Sequence, residues 1–141
     1  MAVACGESQT AAVTQDGSLY TWGAGHDAQL GLTAFYHRLV PTLVGGLDVF
    51  AARIVMLAAG LYHSAALVSD GSVWTWGIGF SGRLGHGDER TKFTPTRHGK
   101  EGFGESAAVM VACGELHTMV VTADGELWTF GGGYHGRLGH G

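Results

Sequence analysis

Two hexapeptides, Gly77-Ile78-Gly79-Phe80-Ser81-Gly82 and Gly131-Gly132-Gly133-Tyr134-His135-Gly136, spell the G-x-G-x-x-G pattern that can cradle a dinucleotide pyrophosphate. That chemistry needs the glycine turn to enter a helix whose N-terminal amides meet the phosphates. The residues that follow the first copy, Arg83-Leu84-Gly85-His86-Gly87, carry no helical period, so both hexapeptides are expected to be turns. The eight histidines invite metal or proton-transfer chemistry, and His63 with His117 are the pair expected inside. Those two occupy one column of an internal repeat, which places them on separate units, each as a buried imidazole holding a neighbouring carbonyl. Cys5 and Cys113 share a column with Ala59, which makes them small buried packing residues rather than nucleophiles or ligands. Arg83 and Arg137 recur in the setting Gly-Arg-Leu-Gly-His and are expected to bind loop carbonyls, with contact to an acidic partner as the other reading. The sequence offers no triad, no carboxylate pair and no P-loop, and neither a cofactor nor a metal is expected.

The elements that must position these residues come from a repeat of 54 residues. Residues 1–33, 55–87 and 109–141 align without a gap, and nine columns are identical in all three copies. Among them are Gly6/Gly60/Gly114, Gly17/Gly71/Gly125, Thr21/Thr75/Thr129 and the pairs Leu30-Gly31, Leu84-Gly85 and Leu138-Gly139. The chain thus divides into units 1–54, 55–108 and an incomplete 109–141. The centre of each unit is a hairpin such as Ala65–Ser69 and Ser72–Trp76 around Asp70-Gly71, a dipeptide that predicts a type I′ turn with positive φ at both residues. In the returning strand Trp74 and Trp76 alternate with Val73 and Thr75, so the sheet carries bulk on both faces and must be sandwiched. The aromatic column Trp22, Trp76 and Phe130 is then layered from unit to unit. Another apolar run precedes each hairpin, and a connector containing Pro41-Thr42 or Pro95-Thr96 links the copies. Each unit has room for about four short antiparallel strands, which makes the fold all-β, a partial β-propeller of about two and a half to three blades.

Bulk properties exclude several classes of function. Lys and Arg number 8 against 12 Asp and Glu, so no positive field draws nucleic acid in, and direct nucleic-acid binding is not expected. No apolar run reaches the roughly 20 residues that cross a bilayer, and Met1–Glu7 lacks the basic and apolar regions of a secretory signal. No membrane association is expected, and the location is expected to be intracellular, cytoplasmic or nuclear.

The copies resemble the repeat of the regulator of chromosome condensation family. One carrier is the segment Ala58-Ala59-Gly60-Leu61-Tyr62-His63-Ser64, with Ala112–Thr118 as its counterpart and Gln9 replacing the histidine in the first copy. The other runs from Trp76 to Gly87 and from Phe130 to Gly141, ending in Arg-Leu-Gly-His-Gly, with Gln29 and Leu32 standing for Arg and His in the first copy. The resemblance implies a seven-bladed propeller, which at this period takes about 378 residues, so the chain is expected to be an excerpt of a larger domain. It also implies a non-catalytic protein-interaction scaffold. Exchange of guanine nucleotide on a Ran-like small GTPase is one alternative, and a substrate- or regulator-binding domain of a HECT-type ubiquitin ligase is another. The Gly-Trp-Arg-His-Thr segment of the light-sensing plant members is absent, since the matching residues are Gly60–Ser64.

Partner contacts are expected where the repeat does not hold. Residues 88–105 gather Arg90, Lys92, Arg97 and Lys100 around Phe93, a combination suited to a protein partner such as a small GTPase or a ubiquitin-pathway protein. Phe35 and Tyr36 in the first connector are the second candidates, because adjacent aromatics of an extended segment cannot both turn inward.

Overall fold

On the strand Val73–Gly77 the alternating side chains face opposite ways, and the fold buries both sets. The structure, a computed structural model, describes residues 1–99 and 102–141. Strands β1 (Ala2–Cys5), β2 (Gln9–Val13), β3 (Leu19–Gly23) and β4 (Arg38–Gly45) form the first antiparallel sheet in chain order. A one-turn helix α1 (Leu47–Phe50) leads to the second sheet, β5 (Ile54–Ala59), β6 (His63–Val68), β7 (Val73–Gly77) and β8 (Lys92–Arg97). The short strand β9 (Gly102–Glu105) precedes the third sheet, β10 (Ala108–Cys113), β11 (His117–Thr122) and β12 (Leu127–Gly131). Equivalent residues pair in all three hairpins: Ala11 with Thr21, Ala65 with Thr75 and Met119 with Thr129.

The sheets are blades, and the core lies between them. Ala11, Val13 and Leu19 of blade 1 meet Ala66, Val68 and Trp76 of blade 2 in one cluster. From the other face of blade 2, Ala65, Leu67 and Val73 meet Ala108, Val111 and Val120 of blade 3. Each junction also receives an aromatic from the segment joining the blades. Phe50 on α1 lies 5.0 Å from the Trp74 ring, and Phe103 on β9 lies 6.1 Å from Trp128.

Hydroxyl groups lock these layers. Thr21, Thr75 and Thr129 donate to the carbonyls of Leu30, Leu84 and Leu138 at 2.8, 2.8 and 2.7 Å, pinning the loop after β3, β7 and β12 to its own blade. Between blades, Ser64 Oγ and Trp76 Nε1 both donate to the Gln29 carbonyl at 3.0 Å, and Thr118 Oγ1 donates to the Arg83 carbonyl at 2.7 Å. Gly60 admits no side chain because a Cβ there would stand 2.3 Å from the Gly114 carbonyl oxygen of the next blade.

Three expectations are corrected, and one element was not foreseen. The hairpin turns are not type I′: Gly17, Gly71 and Gly125 have positive φ, but the aspartates before them do not. Gly71 N donates to Val68 O and Val68 N to Ser72 O, the three-residue loop with a glycine bulge. Asp70 instead caps the turn by accepting from the Ser72 backbone amide at 2.9 Å. The Pro-Thr segments are not connectors but the outermost strands β4 and β8, since an edge strand tolerates a proline. The helix α1 is unforeseen because its single turn is too short to show a periodic signal. Cys5 is exposed rather than buried, because it ends the innermost strand β1 on the side turned from the blade contacts.

Trp76→Ala is expected to cost about 3–5 kcal/mol, since it empties a fully buried site and leaves a carbonyl short of a donor. Trp22→Ala in the same column, where the indole is only half-buried, is expected to cost clearly less; urea unfolding of both variants checks the order.

Candidate protein-binding rim

In an antiparallel meander of four strands the first and third connections share one end, and the second shares the other end with the passage to the next blade. One rim therefore carries the turns 6–8, 60–62 and 114–116 and the loops 24–37, 78–91 and 132–141. Phe35, Tyr36 and Arg90 lie on this rim, and Tyr36 and Arg90 occupy equivalent places in their blades. Phe93 near the start of β8 reaches Phe35, with the rings edge to face at 5.1 Å, and the Thr33 amide donates to the Phe93 carbonyl at 3.3 Å. The two separately expected aromatic candidates are thus one cluster, with Phe35 55%, Tyr36 71% and Phe93 40% exposed.

The cations do not surround Phe93. Lys92 and Arg97 sit at opposite ends of β8, about 17 Å apart along an extended strand. Lys92 Nζ pairs with Asp88 at 3.1 Å, and Arg97 reaches Asp70 on the opposite rim at 3.0 Å. Arg90 is exposed and makes no ion pair among the described residues, so its guanidinium remains available on this rim. Lys100 lies outside the described residues. The remainder of the segment 88–105 is partly core: His98 is buried, stacked on Phe103 with the ring centroids 4.9 Å apart.

The same rim carries aromatics that the sequence reading passed over. His26, Phe80 and Tyr134 fall in one repeat column, all exposed, so each blade presents one ring at the same place. The signal was available, since an aromatic inside a glycine turn has no strand to bury it. The G-x-G-x-x-G segments are the short 3-10 turns Phe80–Gly82 and Tyr134–Gly136, with no helix after them. Arg83 Nε donates to the Phe80 carbonyl at 2.9 Å and Arg137 Nε to the Tyr134 carbonyl at 2.8 Å, which clamps the turns as expected. Ser81 and His135, the next residues, are held at φ 61° and 60°, a conformation that costs a non-glycine residue strain.

His63, His86, His98 and His140 serve the frame, whereas the half-buried His117 ring makes no hydrogen bond among the described residues and so does not hold the carbonyl expected of it. His63 does not hold a carbonyl: its Nε2 lies 2.8 Å from Thr118 Oγ1, whose own proton goes to Arg83 O. Gln9 in the same column does hold one, the Gly60 carbonyl at 2.8 Å. His86 and His140 sit 2.9 and 2.8 Å from the Thr75 and Thr129 hydroxyls. Burial drives the His63 imidazole from its ordinary 6.5 down to about 3, with Arg83 and His117 pushing the same way. Burial, reinforced by His86, takes His98 to about 3 as well. Among the described residues no three His, Cys, Asp or Glu side chains gather where a metal could sit, and no helix is long and apolar enough to cross a membrane.

Stacked antiparallel blades with their loops gathered at two rims define a segment of a β-propeller. The family model of the regulator of chromosome condensation (RCC1) repeat matches residues 16–67 and 70–121, and a second model of that repeat matches 2–29, 54–83 and 109–137. The chain belongs to the RCC1 repeat family. It is 42% identical over 139 residues to the ultraviolet-B receptor UVR8 of Arabidopsis thaliana, covering 99% of this chain and 31% of that protein. It is 36% identical over 139 residues to the E3 ubiquitin-protein ligase HERC2 of Homo sapiens, covering 99% of this chain and 3% of that one. The structure of Prp20p from Saccharomyces cerevisiae superposes with a TM-score of 0.86 at 25% identity, over 99% of this chain and 34% of that chain. The chain thus spans about a third or less of each of these relatives.

Two buried neutral histidines set an acid limit. Unfolding restores their ordinary affinity for protons, so stability is full above pH 6.5 and falls as pH drops from 6.5 toward 3, by up to about 1.4 kcal/mol per pH unit for each ring. His63→Gln, the choice blade 1 makes at Gln9, is expected to flatten that slope; an unchanged slope in pH-dependent urea unfolding contradicts the assignment.

Proposed function

We propose that the chain is a non-catalytic protein-docking unit of an RCC1-type propeller, working inside the cell and binding a folded partner through the rim of Phe35, Tyr36, Phe80, Arg90, Phe93 and Tyr134. The observation that carries this reading is the cluster Phe35–Phe93 with exposed Tyr36 beside it, on the rim where Phe80 and Tyr134 recur blade by blade. Aromatics and arginine dominate the energetic centres of protein interfaces, because they bury much area for little lost rotamer freedom. The turns under Phe80 and Tyr134 are clamped by arginine, so the rings cost little to order on binding.

For the partner, likeness to Prp20p, studied for its binding to Gsp1p and histones, favours a Ran-like small GTPase. Likeness to HERC2 supports a ubiquitin-pathway protein as the second choice. The loops 24–37 and 78–91 are equal in length and neither carries an insertion relative to the other, which favours docking without nucleotide exchange.

Replacing Phe35, Tyr36 and Phe80 together by alanine is expected to weaken binding to a purified Ran-type GTPase by about tenfold or more, with the thermal midpoint nearly unchanged. Equal binding by the variant removes the rim from the account, and no binding by the unaltered chain removes the GTPase. Release of labelled GDP from that GTPase is expected at the spontaneous rate; acceleration by the chain restores the exchange reading.

A further inference from the structure

The rim opposite the aromatic one carries the Asp-Gly turns and the segments that join the blades. Its described residues are acidic: Asp16, Asp48, Asp70, Glu105, Asp124 and Glu126 stand against Arg53 and Arg97 alone. Turn hydrogen bonds keep the aspartates ionised, since the Ser72 and Thr122 hydroxyls hold the Asp70 and Asp124 carboxyls below the usual carboxylate range. Charge of this kind attracts cations but gives them no shape to fit.

A shaped site lies on this rim at the junction of blades 2 and 3. At the first junction α1 covers two glycines: a Cβ on Gly17 would meet Leu47 at 3.7 Å, and one on Gly45 would meet Val49 at 2.4 Å. Their equivalents at the second junction are Gly71 and Gly99. Ala107 closes over Gly71 at 2.4 Å, but among the described residues nothing lies within 4 Å of a Cβ on Gly99. The result is a cavity of about 610 Å³ between the turn 70–73, the end of β8 and the segment 103–107, a size ordinary for a ligand site. Both of its walls belong to blade 2 and to the link that leaves it.

Val73 and Phe103 supply the apolar part of the lining, and the polar part is mostly acceptors. Arg97 is engaged by Asp70 at 3.0 Å, and the Ser72 hydroxyl gives its proton to the same carboxylate at 2.6 Å. Glu105 makes no ion pair among the described residues. The Asp124 amide donates to the Ser106 hydroxyl at 3.3 Å, which brings a further acidic residue to that wall. His98, only 6% exposed, adds a directed acceptor. Thr75 Oγ1 gives its proton to the Leu84 carbonyl, so it accepts from the Nε2–H of His86 at 2.9 Å and of His98 at 3.2 Å. His98 Nδ1 is then an unprotonated acceptor. It makes no hydrogen bond among the described residues and faces Gly102, where a Cβ would stand 3.6 Å from it. A buried acceptor without a donor is costly, so a ligand that brings an N–H to it gains.

We propose that this cavity binds the side chain of an arginine from a basic peptide segment of a partner, its stem against Val73 and Phe103 and its guanidinium donating to Glu105 and to His98 Nδ1. Arginine fits better than lysine, because its flat fork of donors serves acceptors in several directions and its weakly hydrated charge enters a partly apolar site at less cost. The site lies on the other side of the blades from the aromatic rim and is tested separately from it.

The test is a titration of the 141-residue chain, with nitrogen-15 in its histidine rings, by a blocked Gly-Ser-Arg-Ser-Gly peptide at low salt. The His98 Nδ1 resonance is expected to move and saturate while those of His63 stay fixed. The same peptide with citrulline, equal in shape but neutral, is expected to bind about tenfold more weakly or worse. Glu105→Gln is expected to weaken the arginine peptide by about tenfold, and Asp16→Asn, at the closed junction, by less than about twofold. A His98 resonance that does not move at millimolar peptide overturns the proposal, and so does equal binding of the citrulline peptide. Equal losses from Glu105→Gln and Asp16→Asn overturn it as well, since they assign the binding to the charge of the whole rim. Glu105→Ala replaces the glutamine variant if that one loses its folded circular-dichroism spectrum.

Discussion

A sheet that is apolar on both faces cannot stand alone, and the junction between two such sheets is the contact on which this molecule depends. Trp76 shows what the junction requires. Its ring fills the cluster between blades 1 and 2, and its indole nitrogen, with the Ser64 hydroxyl, satisfies the carbonyl of Gln29 across the gap. Burial supplies the driving force without direction. The hydrogen bonds to Gln29 and Arg83 supply the register, because a blade shifted by one residue would bury these groups unpaired.

Residues that look like chemistry are consumed in maintaining that register. Thr75 holds the loop after β7 through the Leu84 carbonyl and touches His86 and His98, while Arg83 holds the same loop from below through Phe80. The consequence is a rim whose backbone is fixed by the frame while its aromatic side chains face solvent. Rigidity beneath and exposure above is the combination that lets a loop bind without a large ordering cost.

The frame was legible in the sequence because it is written as spacing. The repeat separated His63 from His117, and the alternation of Trp74 and Trp76 with Val73 and Thr75 announced a sheet covered on both sides. The helix missing after Ser81-Gly82 disposed of the dinucleotide reading. Less was legible where one residue type serves two geometries. Asp-Gly fits two hairpin turns, and only φ at Asp70 distinguishes them. A charged, proline-containing run fits a loop or an edge strand, and β8 is the strand. Phe50, His98 and Phe103 entered the core from segments with no period at all. The rim cluster was read as two separate candidates because Phe35 and Phe93 lie on different blades, and their contact exists only once the blades are stacked.

Native-state hydrogen exchange at low micromolar concentration reports directly on stacking as the source of order. Blade 2 is covered on both faces and its neighbours on one, so its inner strands should open only with the whole structure. The amides of β6 and β7 are predicted to exchange more slowly than those of β2, β3, β11 and β12. Exchange in β6 and β7 as fast as in the outer blades would contradict the account.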